Sequence, residues 1–339
     1  MGRGFRENLR LLVALLGLSA LAGSAKASLI PSGVDVWFST SSYAIAFGGP
    51  VTPLIAPDNL YDLSGKRIFS NGDLLRKFAP ARWFMSFGHG LDALTMVRQG
   101  DSGAPIPWFS TSRTFYSNTY HRNIGEGDLL SRDGSIVATN QALLAKFSPS
   151  STASAGLDGV DLINPGASQE IWFSTRNNFY SNKLGKQVTS GDILSNTGQI
   201  IATNADLLAA FKPSKPGVNY GLDAMHVVSM QQGQTPVIWF STNRDFYSNA
   251  LKRVVSQGDI LSNTGQVIAS NTEVMSKFGW HFPANPGLDV IAFAPSGNMV
   301  NISRAIDEGG TGKTVVPDPA TMCLLVAGMA GGLTVRRRI

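Results

Sequence analysis

The sequence predicts an all-β chain with short helices, folded as a four-bladed β-propeller. Three observations carry this expectation. Trp-Phe-Ser-Thr occurs four times, at 37–40, 108–111, 172–175 and 239–242. Leu-Asp, usually as Gly-Leu-Asp, also occurs four times, at 91–92, 157–158, 222–223 and 288–289. The two motifs are offset at the ends: Trp37 has no Leu-Asp segment ahead of it, and Leu288 to Phe293 supplies an extra one after the last unit. Self-similarity at a period of about 66 residues means stacked copies of one supersecondary unit.

Each unit reads as strands followed by one short helix. Leu222 to Val228 is an apolar run after a glycine, and Val237 to Ser241 is a second run rich in β-formers. Gly191 to Ser195 and Gln199 to Thr203 are two more, joined by the hairpin signal Asn196-Thr197-Gly198. Asn204 is then placed to cap a helix that carries Leu207, Leu208 and Phe211 on one face, with Pro213 ending it. Four strands and a capping helix make one propeller blade.

The first copy needs care with register. Counting from each Trp to the Asn of the helix segment ends at Asn71, Asn140, Asn204 and Asn271. Gly72-Asp73 therefore lies inside the helix segment, and the counterpart of Gly127-Asp128 is Asp58-Asn59.

Four units with offset ends would bring the last strand beside the first and close the ring, removing exposed sheet edges. In this layout the chain is similar to hemopexin-like four-bladed propellers. Met299 to Ser303 reads as a further weak strand, which keeps a five-bladed ring or an open solenoid as alternatives.

Both ends carry targeting signals. Arg3, Arg6 and Arg10 precede the apolar stretch Leu11 to Gly23, and Ala25-Lys26-Ala27 is a small-x-small cleavage site before Ser28. Residues 1–27 thus read as a signal peptide for signal peptidase. At the other end, Val316-Pro317-Asp318-Pro319 is followed by a short apolar stretch from Met322 to Val335 and then Arg336, Arg337 and Arg338. This order resembles the PEP-CTERM sorting tail recognised by exosortases, with Asp318 where that family usually has Glu. The apolar stretch is shorter than a comfortable spanning helix, and the arginines place the body outside the membrane. The organisation is therefore residues 1–27 signal, 28–305 repeat domain, 306–316 Gly-rich linker and 317–339 sorting tail.

The formal charge of +5 belongs to the ends. Arg3, Arg6, Arg10 and Lys26 against Glu7 give +3, and the three terminal arginines against Asp318 give +2. The remainder is near neutral, which argues against nucleic acid as a partner and limits membrane contact to the tail. Cys323, the one cysteine, lies in the tail, so the body folds without a disulfide.

Among candidate sites, Gly100-Asp101-Ser102-Gly103 resembles a serine-protease nucleophile segment, but only His89 lies upstream of it, so it reads as a turn. Gly309 to Thr314 lacks the first glycine of a P-loop and reads as linker. Asp92, Asp158, Asp223 and Asp289 occupy equivalent places on four blades. If they converge in the channel, where hemopexin-like propellers hold ions, their hard oxygens suit Ca2+; the plainer reading is that each bonds a neighbouring turn. Asp128, Asp192 and Asp259, with Asn59 in the first copy, read as turn residues. Phe115-Tyr116, Phe179-Tyr180 and Phe246-Tyr247 suit either inter-blade packing or a sugar-stacking face. The four histidines show no zinc spacing, and Glu126, Glu170 and Glu273 show no pairing of the kind glycosidic cleavage needs.

The expected function is that of an exported, exosortase-sorted bacterial surface or extracellular-matrix protein, anchored transiently in the inner membrane. Its body is expected to be a non-enzymatic interaction module. The alternatives are a carbohydrate-binding propeller for extracellular polysaccharide or a polysaccharide hydrolase or lyase.

Overall fold

In the computed structural model, Ile30 and residues 34–295 are described, apart from 41–43, 46–53, 57, 82–87, 98–104, 165–168, 231–233, 277 and 279–286. The signal peptide with Ala25, Ala27 and Ser28, the Gly100–Ala104 turn, Met299–Ser303, the linker and the sorting tail all lie outside the described residues. Among those described, no helix is long and apolar enough to cross a membrane.

Four four-stranded antiparallel sheets form four blades. Blade 2 runs from its inner strand Ala93–Val97 through Ile106–Ser110 and Leu129–Ser131 to Ile136–Ala138. Blades 3 and 4 repeat it, with inner strands Gly159–Asn164 and Ala224–Ser229. Blade 1 takes its inner strand, Val290–Pro295, from the end of the repeat array and pairs it antiparallel with Val34–Ser39. The register runs from Val34 opposite Pro295 to Ser39 opposite Val290. Each inner strand touches the next around the axis, and Val290–Pro295 touches Ala93–Val97. The ring is closed with four blades, so the open-solenoid reading falls.

The repeated motifs have separable jobs. In Trp-Phe-Ser-Thr the phenylalanines Phe38, Phe109, Phe173 and Phe240 are fully buried. The serine carbonyls of Ser110, Ser174, Ser241 and Ser39 accept the backbone N–H of Asp92, Asp158, Asp223 and Asp289, at 3.2–3.3 Å. The hydroxyls of Ser110 and Ser241 donate onward to the carbonyls of Leu157 and Leu288 in the next blade. Thr111, Thr175 and Thr242 each close a turn by bonding the carbonyl two residues on.

That turn leads into an element the sequence reading missed. Between the second and third strands of each blade stands a separate two-stranded hairpin: Ala44–Ile45 with Leu54–Ile55, Phe115–Ser117 with Arg122–Ile124, Phe179–Ser181 with Lys186–Val188, and Phe246–Ser248 with Arg253–Val255. Three of these hairpins hold the preceding blade. The hydroxyls of Ser117, Ser181 and Ser248 donate to the carbonyls of Phe78, Phe147 and Phe211 at 2.6–2.7 Å. The same phenylalanines meet Phe115, Phe179 and Phe246 edge to face. These contacts seal the outer part of those three blade interfaces with apolar surface.

The helix of each unit is capped one residue earlier than the sequence suggests. Thr203, not Asn204, is the N-cap; its hydroxyl accepts the Asp206 N–H and the Asp206 carboxylate returns the bond. Ser70 with Asp73 and Ser270 with Glu273 make the same reciprocal cap. Asn204 is used instead as a tether. Its backbone N–H donates to Asp192, its side-chain oxygen accepts from Tyr220 N–H, and its amide donates to the Gly221 carbonyl. Asn140 ties Asp128, Ala155 and Gly156 in the same way. Asp128, Asp192 and Asp259 are thus turn residues, as expected, and Asn59 takes the Asn71 N–H in the first copy.

Candidate functional site, the axial channel

The channel has two polar layers. Asp92, Asp158, Asp223 and Asp289 each stand one residue before an inner strand, so all four lie at the strand starts of the closed ring. The glycine two residues earlier sits at φ 67–71°, the left-handed region that glycine enters without strain. The intervening leucines Leu91, Leu157, Leu222 and Leu288 are fully buried and fix the strand entry.

The structure brings the four carboxylates together. Among the described residues, those of Asp158, Asp223 and Asp289 take no hydrogen bond, so the turn-bonding reading does not hold for them. Burial, with Glu126 adding to it and Arg176 opposing, pushes Asp92 up to about 6. Burial and the Asp92 charge push Asp223 up to about 7 against Arg176. Asp158 and Asp289 are raised well above the usual carboxylate range, again by burial first and then by the other ring charges. Like charges sharing a poorly solvated site hold on to protons.

Among the described residues, one cation reaches this ring. Arg176, immediately after the blade 3 Trp-Phe-Ser-Thr, places Nη1 3.5 Å from Asp92 Oδ2 and 3.8 Å from Glu126 Oε2, and donates to the Ser112 carbonyl. The other blades have Ser41, Ser112 and Asn243 at that position, so the cation is unique to one blade. Glu126 is thereby joined to Asp92, a pairing the sequence did not reveal. Glu170 instead accepts from the Trp172 indole and the Ser195 hydroxyl, and Glu273 caps its helix.

The second layer lies three residues further along each inner strand, where the blades carry Thr95, Asp161, His226 and Ala292. Asp161 binds both neighbours. Its Oδ1 accepts from the Thr95 hydroxyl at 2.9 Å and from the Leu162 N–H. Its Oδ2 accepts from the Val227 N–H at 2.7 Å and stands 3.0 Å from His226 Nδ1. Burial alone would raise its pKa; the His226 charge and the bonds from His226, Val227 and Thr95 outweigh it and hold the group below the usual range. No repeat signal could announce this layer, because each blade carries a different residue there.

Calcium requires several oxygens converging on one point. Among the described residues no three His, Cys, Asp or Glu side chains are grouped to hold a metal ion. With Arg176 already supplying positive charge, the residues present do not fit a chelated Ca2+. The second layer is hydrogen-bonded through Asp161, while the four ring aspartates have the guanidinium of Arg176 as their counter-charge.

The Phe-Tyr pairs divide cleanly. Phe115, Phe179 and Phe246 are buried in the blade interfaces, whereas Tyr116, Tyr180 and Tyr247 are 44%, 44% and 41% exposed on the outer hairpins. The chain matches no protein-family model and no curated protein sequence.

Proposed function

We propose that the chain is an exported bacterial surface or matrix protein, and that its propeller is a non-enzymatic module that binds partners through its outer surface. The order of Val316–Pro319, the apolar stretch and Arg336–Arg338 supports delivery to an exosortase, and Ala25-Lys26-Ala27 supports export by signal peptidase. The observation that carries the module reading is the division of polar groups. In the second channel layer both Asp161 oxygens are bonded to protein groups, while a tyrosine stands exposed at the same place on three blades. Rigid scaffolds commonly present binding groups on such peripheral loops.

The test is the intact mass of the protein recovered from the extracellular fraction of an exosortase-positive host. The expected mass begins at Ser28 and ends near Pro319, with or without a glycan adduct. A full-length tail retained in membranes overturns the sorting reading.

A second reading rests on Asp92 and Glu126. Two carboxylates, one raised to about 6, flank Arg176 Nη1, and glycosidic cleavage uses one protonated and one ionised carboxyl group. New reducing ends after incubation with polysaccharide, abolished by Asp92→Asn, would establish it in place of the binding module.

A further inference from the structure

The outer hairpins of blades 2, 3 and 4 share a surface chemistry that goes beyond an exposed tyrosine. Each hairpin turns one face inward through Phe and Ser on its first strand and Ile124, Val188 or Val255 on its second. The other face is open. Tyr116 stands opposite Asn123, Tyr180 opposite Gln187, and Tyr247 opposite Val254. The residue before each tyrosine's partner is a cation, Arg122, Lys186 or Arg253, which pairs with Ser117, Ser181 or Ser248 at the turn end of the hairpin and so borders the tyrosine face. All three cations are exposed, and none is in an ion pair among the described residues. Residues 115–124, 179–188 and 246–255 contain no acidic residue. The flanking acids are turned to other tasks: Glu126 faces Arg176, and Asp245 accepts the Gln257 N–H.

The pattern is specific to these blades. In blade 1 the same register places Ile45 opposite Leu54, and residues 43–56 hold no charge at all. A packing requirement would keep tyrosine and cation in every blade or in none. Nor does the surface serve the fold, because each tyrosine is exposed while its phenylalanine neighbour does the packing.

We infer that the three outer hairpins form a repeated binding surface for an acidic polysaccharide. The flat ring of each tyrosine would stack on the apolar face of a sugar. The neighbouring amides of Asn123 and Gln187 suit hydroxyls, and the cations suit carboxylate or sulfate groups. One such contact is weak; three on a rigid ring act together on a polymer long enough to reach them. Charge complementarity selects an anionic chain. The near-neutral body disfavours nucleic acid, whose binding is dominated by extended phosphate neutralisation.

This inference gives the interaction module its partner class and rests on that reading. The test uses purified protein with polygalacturonate, neutral dextran and single-stranded DNA as probes, in a titration series of NaCl. Polygalacturonate should bind, weaken with salt and leave no new reducing ends, while dextran does not bind. Replacing Tyr116, Tyr180 and Tyr247 together by Ala should weaken binding about tenfold or more with an unchanged melting temperature, and replacement by Phe should preserve it. Arg122→Ser, Lys186→Ser and Arg253→Ser combined should remove the salt dependence. Absence of polygalacturonate binding, equal binding of dextran, or tighter binding of DNA overturns the inference and leaves the module reading standing. Bound polygalacturonate that is cleaved retains the surface and overturns the module reading.

Discussion

His226 Nδ1 lies 3.0 Å from Asp161 Oδ2, across the boundary between blades 4 and 3, inside the channel. Asp161 also takes the Val227 N–H and the Thr95 hydroxyl, so one carboxylate binds three blades to each other. Substituting Asp161→Ala should cost about 3–5 kcal/mol, because it removes a buried carboxylate and strands an N–H, a hydroxyl and an imidazole together. His226→Ala should cost less, about 1–3 kcal/mol, because the remaining donors still satisfy Asp161. Chemical denaturation of both variants checks the ranking, and equal losses would contradict it.

The Asp161 contribution has a defined pH sense. Its folded pKa is depressed, so the stabilisation is present above the ordinary aspartate value of 3.8 and is lost as pH falls through the lower folded value. A melting series from pH 5 downward should show wild type losing stability more steeply than Asp161→Asn.

The aspartate ring has the opposite sense. Its folded pKa values are raised, so its contribution is fully present below pH 3.8 and is lost as pH rises through about 6 for Asp92 and about 7 for Asp223. Asp223→Asn, which removes a carboxylate that takes no hydrogen bond among the described residues, should therefore stabilise the protein by roughly 1–3 kcal/mol at pH 8 and by almost nothing at pH 4. Calorimetry at the two pH values decides it, and identical melting at pH 8 would show that the ring charges do not interact.

Arg176 should show the mirror image. Its guanidinium is 40% exposed, so solvent screens it and the effect is modest. Arg176→Gln should lower the melting temperature at pH 8, above the values of about 6 for Asp92 and about 7 for Asp223, and leave it unchanged at pH 4. A loss of equal size at both pH values would mean that Arg176 acts by packing alone.

The architecture was legible because its determinants recur. Trp-Phe-Ser-Thr, Gly-Leu-Asp and the helix-segment Asn each occupy a place that all four blades need, and the offset ends announced the pairing of Val34–Ser39 with Val290–Pro295. Features that belong to one blade were not legible. Arg176 and the layer of Thr95, Asp161, His226 and Ala292 become related only when the ring closes. The hairpins are hidden for another reason: their strands are two or three residues long, too short for alternation to show, so Phe179 and Tyr180 give no hint that one faces inward and the other outward. Asn204 reads as a cap because Asn favours that position; the bond from the Thr203 N–H to the Asp206 carboxylate gives the cap to Thr203 and frees Asn204 to hold Tyr220 and Gly221.

Blade 1 tests whether a diverged repeat has been repaired. In blades 2, 3 and 4 one oxygen of Asp128, Asp192 or Asp259 accepts the helix-segment Asn N–H, and the other accepts the N–H of Gly125, Thr189 or Ser256. Asn59 has only one acceptor oxygen, and Asn71 N–H uses it. The Tyr61 hydroxyl fills the gap, accepting the Ala56 N–H at 3.4 Å and the Asn59 amide at 3.2 Å. Tyr61→Phe should therefore cost about 1 kcal/mol by leaving both donors unpartnered. Asn59→Asp on its own loses the amide bond to Tyr61 and gains an oxygen for Ala56. The double variant should recover most of the Tyr61→Phe loss, because the carboxylate then bonds as it does in the other blades. A double-mutant cycle by urea denaturation measures the coupling directly, and strictly additive losses would show that Tyr61 does not substitute for the missing oxygen.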